Sequence, residues 1–156
     1  MTEDTPINVE KLVSDKIEKW VVGSSLILEN RKLGDDHVAE LSNLEVLSEV
    51  ISLDLGENNI SDSGLHSLVN SPYIKNLKTL NLKSNNITEE GAKFIAESSK
   101  LKDLEHLILK FNRIGEAGAN YLAQSETLTN LRTLDLFRNR IGDAGIKIIK
   151  KSKNFR

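Results

Sequence analysis

The stretch "LKTLNLKSNNI", residues 77–87, returns 54 residues later as "LRTLDLFRNRI", residues 131–141. In both copies, leucines alternate with polar residues ahead of an asparagine and an isoleucine. Such alternation predicts a short strand with one buried face. The asparagine that follows can both donate to and accept from backbone groups, which suits a tight turn at the end of the strand. The two copies are separated by twice 27 residues, so the chain is predicted to contain a repeat of 27 residues.

The 27-residue period extends over most of the chain. Its apolar columns are Leu26, Leu53, Leu80, Leu107 and Leu134; Leu28, Leu55, Leu82, Leu109 and Leu136; Leu33, Ile60, Ile87, Ile114 and Ile141; and Trp20, Leu47, Ile74, Leu101 and Leu128. A polar column contains Asn58, Asn85, Asn112 and Asn139, and Arg31 interrupts it in the first unit. After each turn, segments such as "TEEGAKFIA" open with a residue able to cap a helix and continue at helical spacing. Each unit is therefore predicted to be a strand and a helix that bury their apolar sides only by stacking on neighbouring units.

The LxxLxLxxNxI spelling resembles the leucine-rich repeat family, and the helical half of each unit is similar to its ribonuclease-inhibitor-like subclass. The resemblance covers residues 23–151, although the cysteines of ribonuclease inhibitor itself are absent. It implies an α/β fold, a right-handed solenoid with a parallel sheet on the concave face and helices on the convex face. The five 27-residue units would start near residues 23, 50, 77, 104 and 131.

Each end of the predicted solenoid carries a distinct segment. Residues 1–22 are predicted to form an N-terminal helical cap, and the alternative is a helix that binds a partner. The residues at helical spacing are Val9, Leu12, Val13, Ile17, Trp20 and Val21. Residues 152–156 are predicted to form a basic tail after a solvated last helix, whose lysines complement the helix dipole. The alternatives are an anion-binding contact or a longer protein that continues beyond this point.

The sequence contains no recognisable catalytic or cofactor-binding pattern. The absence of cysteine excludes disulfides and thiolate metal sites. His37, His66 and His106 occupy three different positions of the repeat, which argues against a metal triad. No phosphate-binding glycine loop or nucleophile elbow is present, and no apolar run reaches the length of a membrane span. We therefore expect neither an enzyme nor a bound cofactor or metal.

The alternation within the strands predicts which side chains face away from the core. Ile108 shares its column with Ile27, Asp54, Asn81 and Asp135. A column with three polar members is not expected to be the buried one. Ile108 is therefore predicted to lie on the outward, concave face of the sheet.

Phe111 and Phe137 lie where strands become turns, one column apart, so that adjacent strands can bring them together. The predicted protein-binding residues around them are His106, Ile108, Lys110, Phe111, Asp135, Phe137, Arg138, Lys83, Arg113 and Arg140. Aromatic and arginine side chains in one cluster are typical of a protein-interface hot spot. The alternative is that the two phenylalanines fold over the turns and pack locally as part of the solenoid.

The charge distribution indicates the kind of partner. Residues 1–78 hold 7 basic and 14 acidic residues, whereas residues 79–156 hold 14 basic and 9 acidic residues. The acidic side chains Glu29, Asp54 and Glu57 lie at the end of the outward face away from the aromatic residues. The function predicted is a non-catalytic, monomeric module that binds an acidic or mixed-charge protein on its concave surface. The scarcity of aromatics argues against nucleic acid.

Two other functions remain open at this point. One is regulation of a small GTPase, because the ribonuclease-inhibitor-like subclass includes the Ran GTPase-activating protein. The other is a secreted effector of an intracellular bacterium that binds a host protein. The predicted location is cytoplasmic, or a host cytoplasm if the chain is an effector.

Overall fold

The computed structural model describes residues 6–19 and 23–155. The helices are α1 (Val9–Lys16), α2 (Asp35–Ser42), α3 (Asp62–Val69), α4 (Glu89–Glu97), α5 (Gly115–Ala123) and α6 (Gly142–Lys151). The strands are β1 (Ile17–Lys19), β2 (Ser24–Ile27), β3 (Val50–Asp54), β4 (Thr79–Asn81), β5 (His106–Ile108) and β6 (Thr133–Asp135). Short 3-10 helices cover Glu45–Glu49 and Ser99–Leu101.

One sheet joins the strands in chain order from β1 to β6, and β2 to β6 run parallel. The register is the one that the 27-residue period predicts, since Leu53 pairs with Leu80 and Leu107 pairs with Leu134. Leu53, Leu80 and Leu107 are fully buried. The predicted parallel sheet, with a helix after each of its strands, is therefore confirmed.

The asparagine column ties each turn to the unit before it. Asn112 is buried, and its side-chain amide donates to the carbonyl oxygens of Leu82 and Leu109 at 2.9 and 2.8 Å. Its side-chain oxygen accepts from the backbone N–H of Ile87 at 3.0 Å. The equivalent contacts recur at Asn58, Asn85 and Asn139. A single side chain thus satisfies backbone groups of two stacked units that water does not reach.

A second polar contact joins the starts of neighbouring helices. Thr88 caps α4, and its hydroxyl and backbone N–H both donate to the carboxylate of Asp62 on α3. Gly91 donates to the same carboxylate at 3.0 Å, and a Cβ on Gly91 would collide with Oδ1 of Asp62 and lie only 2.5 Å from Cγ2 of Ile87. Glycine is therefore required for α4 to approach α3 this closely.

The N-terminal segment is only partly the helix that its apolar spacing predicts. Helix α1 ends at Lys16, and Ile17–Lys19 forms strand β1, which pairs antiparallel with β2. The helical prediction at Ile17 is wrong because the free edge of β2 offers unpaired backbone groups, and an extended segment can satisfy them. Trp20 and Val21, which the prediction also included, lie outside the described residues. Val9 and Val13 of α1 are buried against the core.

The C-terminal residues continue the contacts of the repeat. The hydroxyl of Ser152 donates to the carbonyl of Ala123 at 2.7 Å, as that of Ser125 does to the carbonyl of Ala96 at 2.6 Å. Phe155 is partly buried against the core, 27 residues after Leu128. The described part of the predicted basic tail is thus attached to the solenoid. The division into residues 1–22, 23–151 and 152–156 stays a prediction.

Candidate functional site

The residue two positions after the second leucine of each strand segment has a left-handed backbone. The φ angles in this column are +53° at Asn30, +54° at Glu57, +52° at Ser84, +59° at Phe111 and +55° at Arg138. Asparagine and glycine adopt this conformation most readily, and it costs other residues about 1–2 kcal/mol. A large aromatic side chain such as that of Phe111 is therefore unfavourable for the backbone at this position.

Burial does not compensate for the backbone cost at Phe111. Its side chain is 42% exposed, and that of Phe137 on the next turn is 61% exposed. A bulky residue that is both strained and exposed contributes little to folding, and such positions are concentrated at functional sites. Phe111 therefore keeps a left-handed backbone although its ring is not buried, as Arg138 does on the next turn.

Phe111, Phe137 and Arg138 form a compact group, which we call the aromatic cluster. The two rings meet edge to face, with centroids 5.8 Å apart and planes at 89°. The guanidinium carbon of Arg138 lies 5.6 Å from each ring centroid. The contact between the two phenylalanines agrees with their offset of one column on adjacent strands. The rings contact each other and Arg138 but remain exposed.

Hydrogen bonds to the backbone hold the cluster in place. The N–H of Phe137 donates to Oδ1 of Asp135 at 3.0 Å. The N–H of Phe111 donates to the carbonyl oxygen of Phe137 at 2.9 Å. Asp135 therefore contributes to this surface by orienting the turn that carries Phe137, and both rings are mounted on the rigid ladder of the sheet.

An open depression of about 560 Å³ lies beside the aromatic cluster, and we call it the arginine depression. It is lined by Phe111, Arg113, Arg138 and Arg140, together with Asn85, Asn86 and Asn112. Among the described residues, none of the three arginines forms an ion pair. Guanidinium groups are planar forks that bind carboxylates or phosphates in a bidentate manner. The depression therefore presents unpaired positive charge next to an apolar wall.

Lys83, predicted to flank the cluster, forms salt bridges with two acidic residues. Its ammonium group contacts the carboxylate of Glu29 and lies 3.2 Å from that of Glu57. The hydrogen bonds to Glu29 and Glu57 raise the pKa of Lys83, and the hydrogen bond to Lys83 lowers the pKa of Glu29. The acidic end of the outward face is thus partly neutralised, and Lys83 is not a free cation for a partner.

The remaining predicted site residues lie along β5 and its turn. Ile108 is half-buried between the fully buried Leu107 and Leu109, and it pairs with Asn81 and Asp135 on the adjacent strands. Its side chain therefore faces outward as expected.

The polar neighbours of Ile108 are also on this side. Nδ1 of His106 lies 3.0 Å from the hydroxyl of Thr133. Lys110 is half-buried and follows β5. The structure places both residues next to the strands that carry the aromatic cluster.

Asn86 lines the arginine depression and was missed by sequence reasoning. The signal was available, because Asn86, Arg113 and Arg140 share one column of the 27-residue register. That column lies two residues beyond the left-handed one. Comparing this column across all units of the repeat would have indicated that these three side chains lie together.

The described part of the chain offers little for other kinds of site. No group of three or more histidine, cysteine or acidic side chains in it could hold a metal ion. None of its helices has the length and apolar character required to cross a membrane. A further depression lies between Pro6–Glu10 of the N-terminal segment and the end of α2, at Glu40, Asn43 and Leu44.

Comparisons with known proteins follow the repeat. The family model described as "Leucine Rich repeat" matches residues 50–69, 73–96, 100–123 and 127–149, more than half of the chain. Among solved structures, the chain is similar to an internalin from Listeria monocytogenes, with 26% identity and a TM-score of 0.46. That similarity covers 70% of this chain and 35% of the internalin, so the chain spans about a third of that structure.

A second similar structure is the leucine-rich repeat ectodomain of the receptor kinase SOBIR1 from Arabidopsis thaliana. It has 20% identity and a TM-score of 0.39, and the similarity covers 88% of this chain and 68% of that one. The comparison with curated proteins finds no match. With four matched repeats in the register of the observed strands and helices, the chain belongs to the leucine-rich repeat family.

Proposed function

We propose that this protein is a non-catalytic interaction module that binds an acidic protein partner on the concave side of its sheet, at the aromatic cluster. Leucine-rich repeat domains generally mediate interactions between proteins. The observation that carries the proposal is Phe111, a strained and exposed aromatic residue in contact with Phe137 and Arg138. Retaining such a residue has a physical reason if the ring is buried by a partner.

The chemistry of the surface supports an acidic partner. Arg113, Arg138 and Arg140 line the arginine depression without ion pairs among the described residues. A partner's carboxylates could therefore bind these guanidinium groups without first displacing an internal ion-pair partner. Arg138 would contribute twice, through its charge and through its contact with both rings.

The rigidity of the sheet supports efficient binding. Both rings are attached to backbone that is bonded to neighbouring strands, so few degrees of freedom are lost on association. Each ring, once covered, is expected to contribute more than about 1 kcal/mol to binding, or about fivefold in affinity.

The test uses the protein as bait in a pull-down, followed by affinity measurements with each purified captured protein. The double variant Phe111→Ala/Phe137→Ala is expected to lose capture, with an affinity at least about 25-fold lower if each ring contributes fivefold. Tyr121→Ala is the matched control, because Tyr121 is a 38% exposed aromatic on α5, outside the aromatic cluster. The control is expected to bind as the wild type does.

Wild-type affinity in the double variant would refute the proposal. Rising salt should weaken the wild-type complex, because exposed charge pairs are screened. An affinity that does not respond to salt would refute the acidic partner while leaving the aromatic contact in place.

Regulation of a small GTPase, an effector role and a cytoplasmic location stay predictions from the sequence.

A further inference from the structure

One outward column of the sheet binds the backbone of the turn that follows each strand. We call it the capping column, and its members are Ile27, Asp54, Asn81, Ile108 and Asp135. Its aspartate and asparagine side chains each accept from the N–H group two residues later, at 2.9 Å for Asp54, 3.1 Å for Asn81 and 3.0 Å for Asp135. This local contact is typical of these two residue types in turns. The oxygen involved belongs to an outward side chain, so the N–H group that it binds is directed to the concave face.

Ile108 interrupts the capping column on β5. Isoleucine has no side-chain oxygen and cannot accept from the N–H group of Lys110, two residues later. Within the described residues that N–H group has no acceptor, whereas the N–H groups of Leu109 and Phe111 on either side of it both donate to the next unit at 2.9 Å. By equivalence with Asn81 and Asp54, the N–H group of Lys110 is directed to the concave face beside the side chain of Ile108.

The missing contact results from the residue type and not from the place of the strand in the sheet. β5 pairs with β4 on one side and with β6 on the other. The carbonyl oxygen of Lys110 accepts from the N–H group of Ser84 at 2.9 Å, so this turn keeps its contact with the preceding unit. Lys110 is half-buried, and its backbone donor therefore requires an acceptor from solvent or from a partner.

Charge distinguishes this donor from its counterpart in the first unit. Ile27 also lacks a side-chain oxygen, and the N–H group of Glu29 has no acceptor within the described residues. That donor belongs to an acidic residue, and the carboxylates of Glu29 and Glu57 share the single ammonium group of Lys83. An incoming anion would be repelled there.

The surroundings of Lys110 have the opposite charge. Its ammonium group forms no ion pair within the described residues. The next residue is Phe111, whose ring centroid lies 5.6 Å from the guanidinium carbon of Arg138. The neighbouring acid in the capping column is Asp135, and its Oδ1 accepts from the N–H group of its own turn. An anion at Lys110 would therefore meet a backbone donor and unpaired positive charge together.

We infer that the N–H and ammonium groups of Lys110, with the side chain of Ile108, form a subsite for the carboxylate of a glutamate or aspartate side chain of the partner. We call it the carboxylate subsite. One carboxylate oxygen accepts from the N–H group, in the place that the side-chain oxygen of Asn81 occupies one unit earlier. The other oxygen faces the ammonium group, and the methylene groups of the acidic side chain pack on Ile108. The inference deepens the proposed function and rests on it, because it specifies one contact of the acidic partner.

Coverage of the aromatic cluster makes this contact necessary. A partner that covers Phe111 also removes water from Lys110, the preceding residue. A backbone N–H group that loses water without gaining an acceptor is costly, so a well-fitting partner supplies one. A carboxylate is the acceptor that the local charge favours, and charge-assisted hydrogen bonds are stronger than neutral ones.

The test uses a defined peptide on the intact protein and needs no natural partner. The probe is the peptide Gly-Glu-Gly, acetylated and amidated so that its side chain provides the only carboxylate. The control is Gly-Gln-Gly with the same blocking groups. Backbone amide shifts are followed by NMR during titration with each peptide.

The amide proton of Lys110 is expected to move downfield and to reach saturation with the glutamate peptide. The glutamine peptide should give no saturating shift over the same range, because a neutral amide is the weaker acceptor. The amide of Glu29 is the internal control. It has no acceptor either, but its acidic surroundings should leave it unchanged by the glutamate peptide.

Two matched variants test the origin of the response. Ile108→Asn places an oxygen where Asn81 has one, so the amide of Lys110 should exchange about fivefold more slowly in the variant alone, as a neutral hydrogen bond would produce. The variant should also lose the response to the glutamate peptide. Ile27→Asn makes the same change in the first unit and should leave the response of Lys110 as in the wild type. With a purified captured partner, Ile108→Asn should lower the affinity about tenfold, the size expected for a hydrogen bond to a charged group.

Four results would overturn the inference. They are the absence of a saturating shift at Lys110, equal shifts at Lys110 and Glu29, equal shifts with the two peptides, and an unchanged response in Ile108→Asn. The peptides contain no apolar side chain to cover the aromatic cluster, so none of these results bears on the Phe111→Ala/Phe137→Ala comparison. A failure of the carboxylate subsite is thus distinguishable from a failure of the proposed function.

Discussion

Replacing Phe111 with either asparagine or alanine is expected to give two proteins that bind equally poorly but differ in stability. Both changes remove the ring contacts with Phe137 and Arg138, so those losses cancel when the two variants are compared. The difference that remains is the backbone, which has a φ of +59° at this position. Asparagine already occupies the same column at Asn30, with a φ of +53°.

The magnitude follows from the left-handed conformation. It costs an ordinary L-residue about 1–2 kcal/mol, and asparagine recovers much of that cost through local hydrogen bonds. Phe111→Asn should therefore be more stable than Phe111→Ala by about 1 kcal/mol, which is about 2–4 °C in Tm for a chain of this size. Urea unfolding and thermal unfolding followed by circular dichroism measure this difference.

The same pair of substitutions at Tyr121 is the control. Tyr121 lies in α5, where alanine is favoured over asparagine by up to roughly 0.7 kcal/mol, so the order of stability should reverse. If Phe111→Ala were as stable as Phe111→Asn, the backbone conformation would not govern this position. If Phe111→Asn kept the affinity of the wild type, the ring would not be a binding anchor.

Three further perturbations test the fold and its electrostatics. Asn112→Leu leaves buried backbone groups of two units without partners and should destabilise the protein by about 3 kcal/mol or more, measured by urea unfolding; a loss below about 1 kcal/mol would contradict the role of the asparagine column. Gly91→Ala forces a Cβ against Asp62 and should cost about 1–3 kcal/mol in the same assay; an unchanged midpoint would show that α4 moves away freely. Lys83→Gln should raise the pKa of Glu29 towards its ordinary value in an NMR titration, because Lys83 lowers that pKa. The Glu29 contact stabilises the fold above the pKa of the unfolded carboxyl and is lost as pH falls through the folded pKa, so the variant should lose less stability on acidification than the wild type.

The architecture of the protein could be predicted from the repeat alone. Leu53, Leu80 and Leu107 pair across adjacent strands and are fully buried, as their common column requires. This succeeds because one pattern of alternating residues, repeated without insertion, has the same apolar side in every unit and can bury it only by stacking. The outward direction of Ile108 follows from the same alternation.

The candidate site depended on distances between units that a linear pattern does not contain. The period placed Lys83 beside the aromatic residues, but its long side chain reaches Glu29 and Glu57 on earlier turns. The left-handed backbone at Phe111 arises from the turn that the buried asparagines hold together, and neither its φ nor its strain is visible in the residue types. The partners of Lys83 and the backbone conformation of Phe111 therefore depend on contacts between units in three dimensions.

The ends of the solenoid show the limit of sequence periodicity. Ile17 continues the helical spacing of α1 but lies in a strand, because the edge of β2 had backbone groups to satisfy. At the opposite end, Leu136 and Arg138 keep the repeat pattern, but among residues 6–19 and 23–155 their N–H groups have no acceptor, unlike those of Leu109 and Phe111. A repeated sequence determines how identical units pack on one another. How the first and last units are closed depends on hydrogen bonds and apolar contacts with whatever lies beside them, and the repeat contains no information about that neighbour.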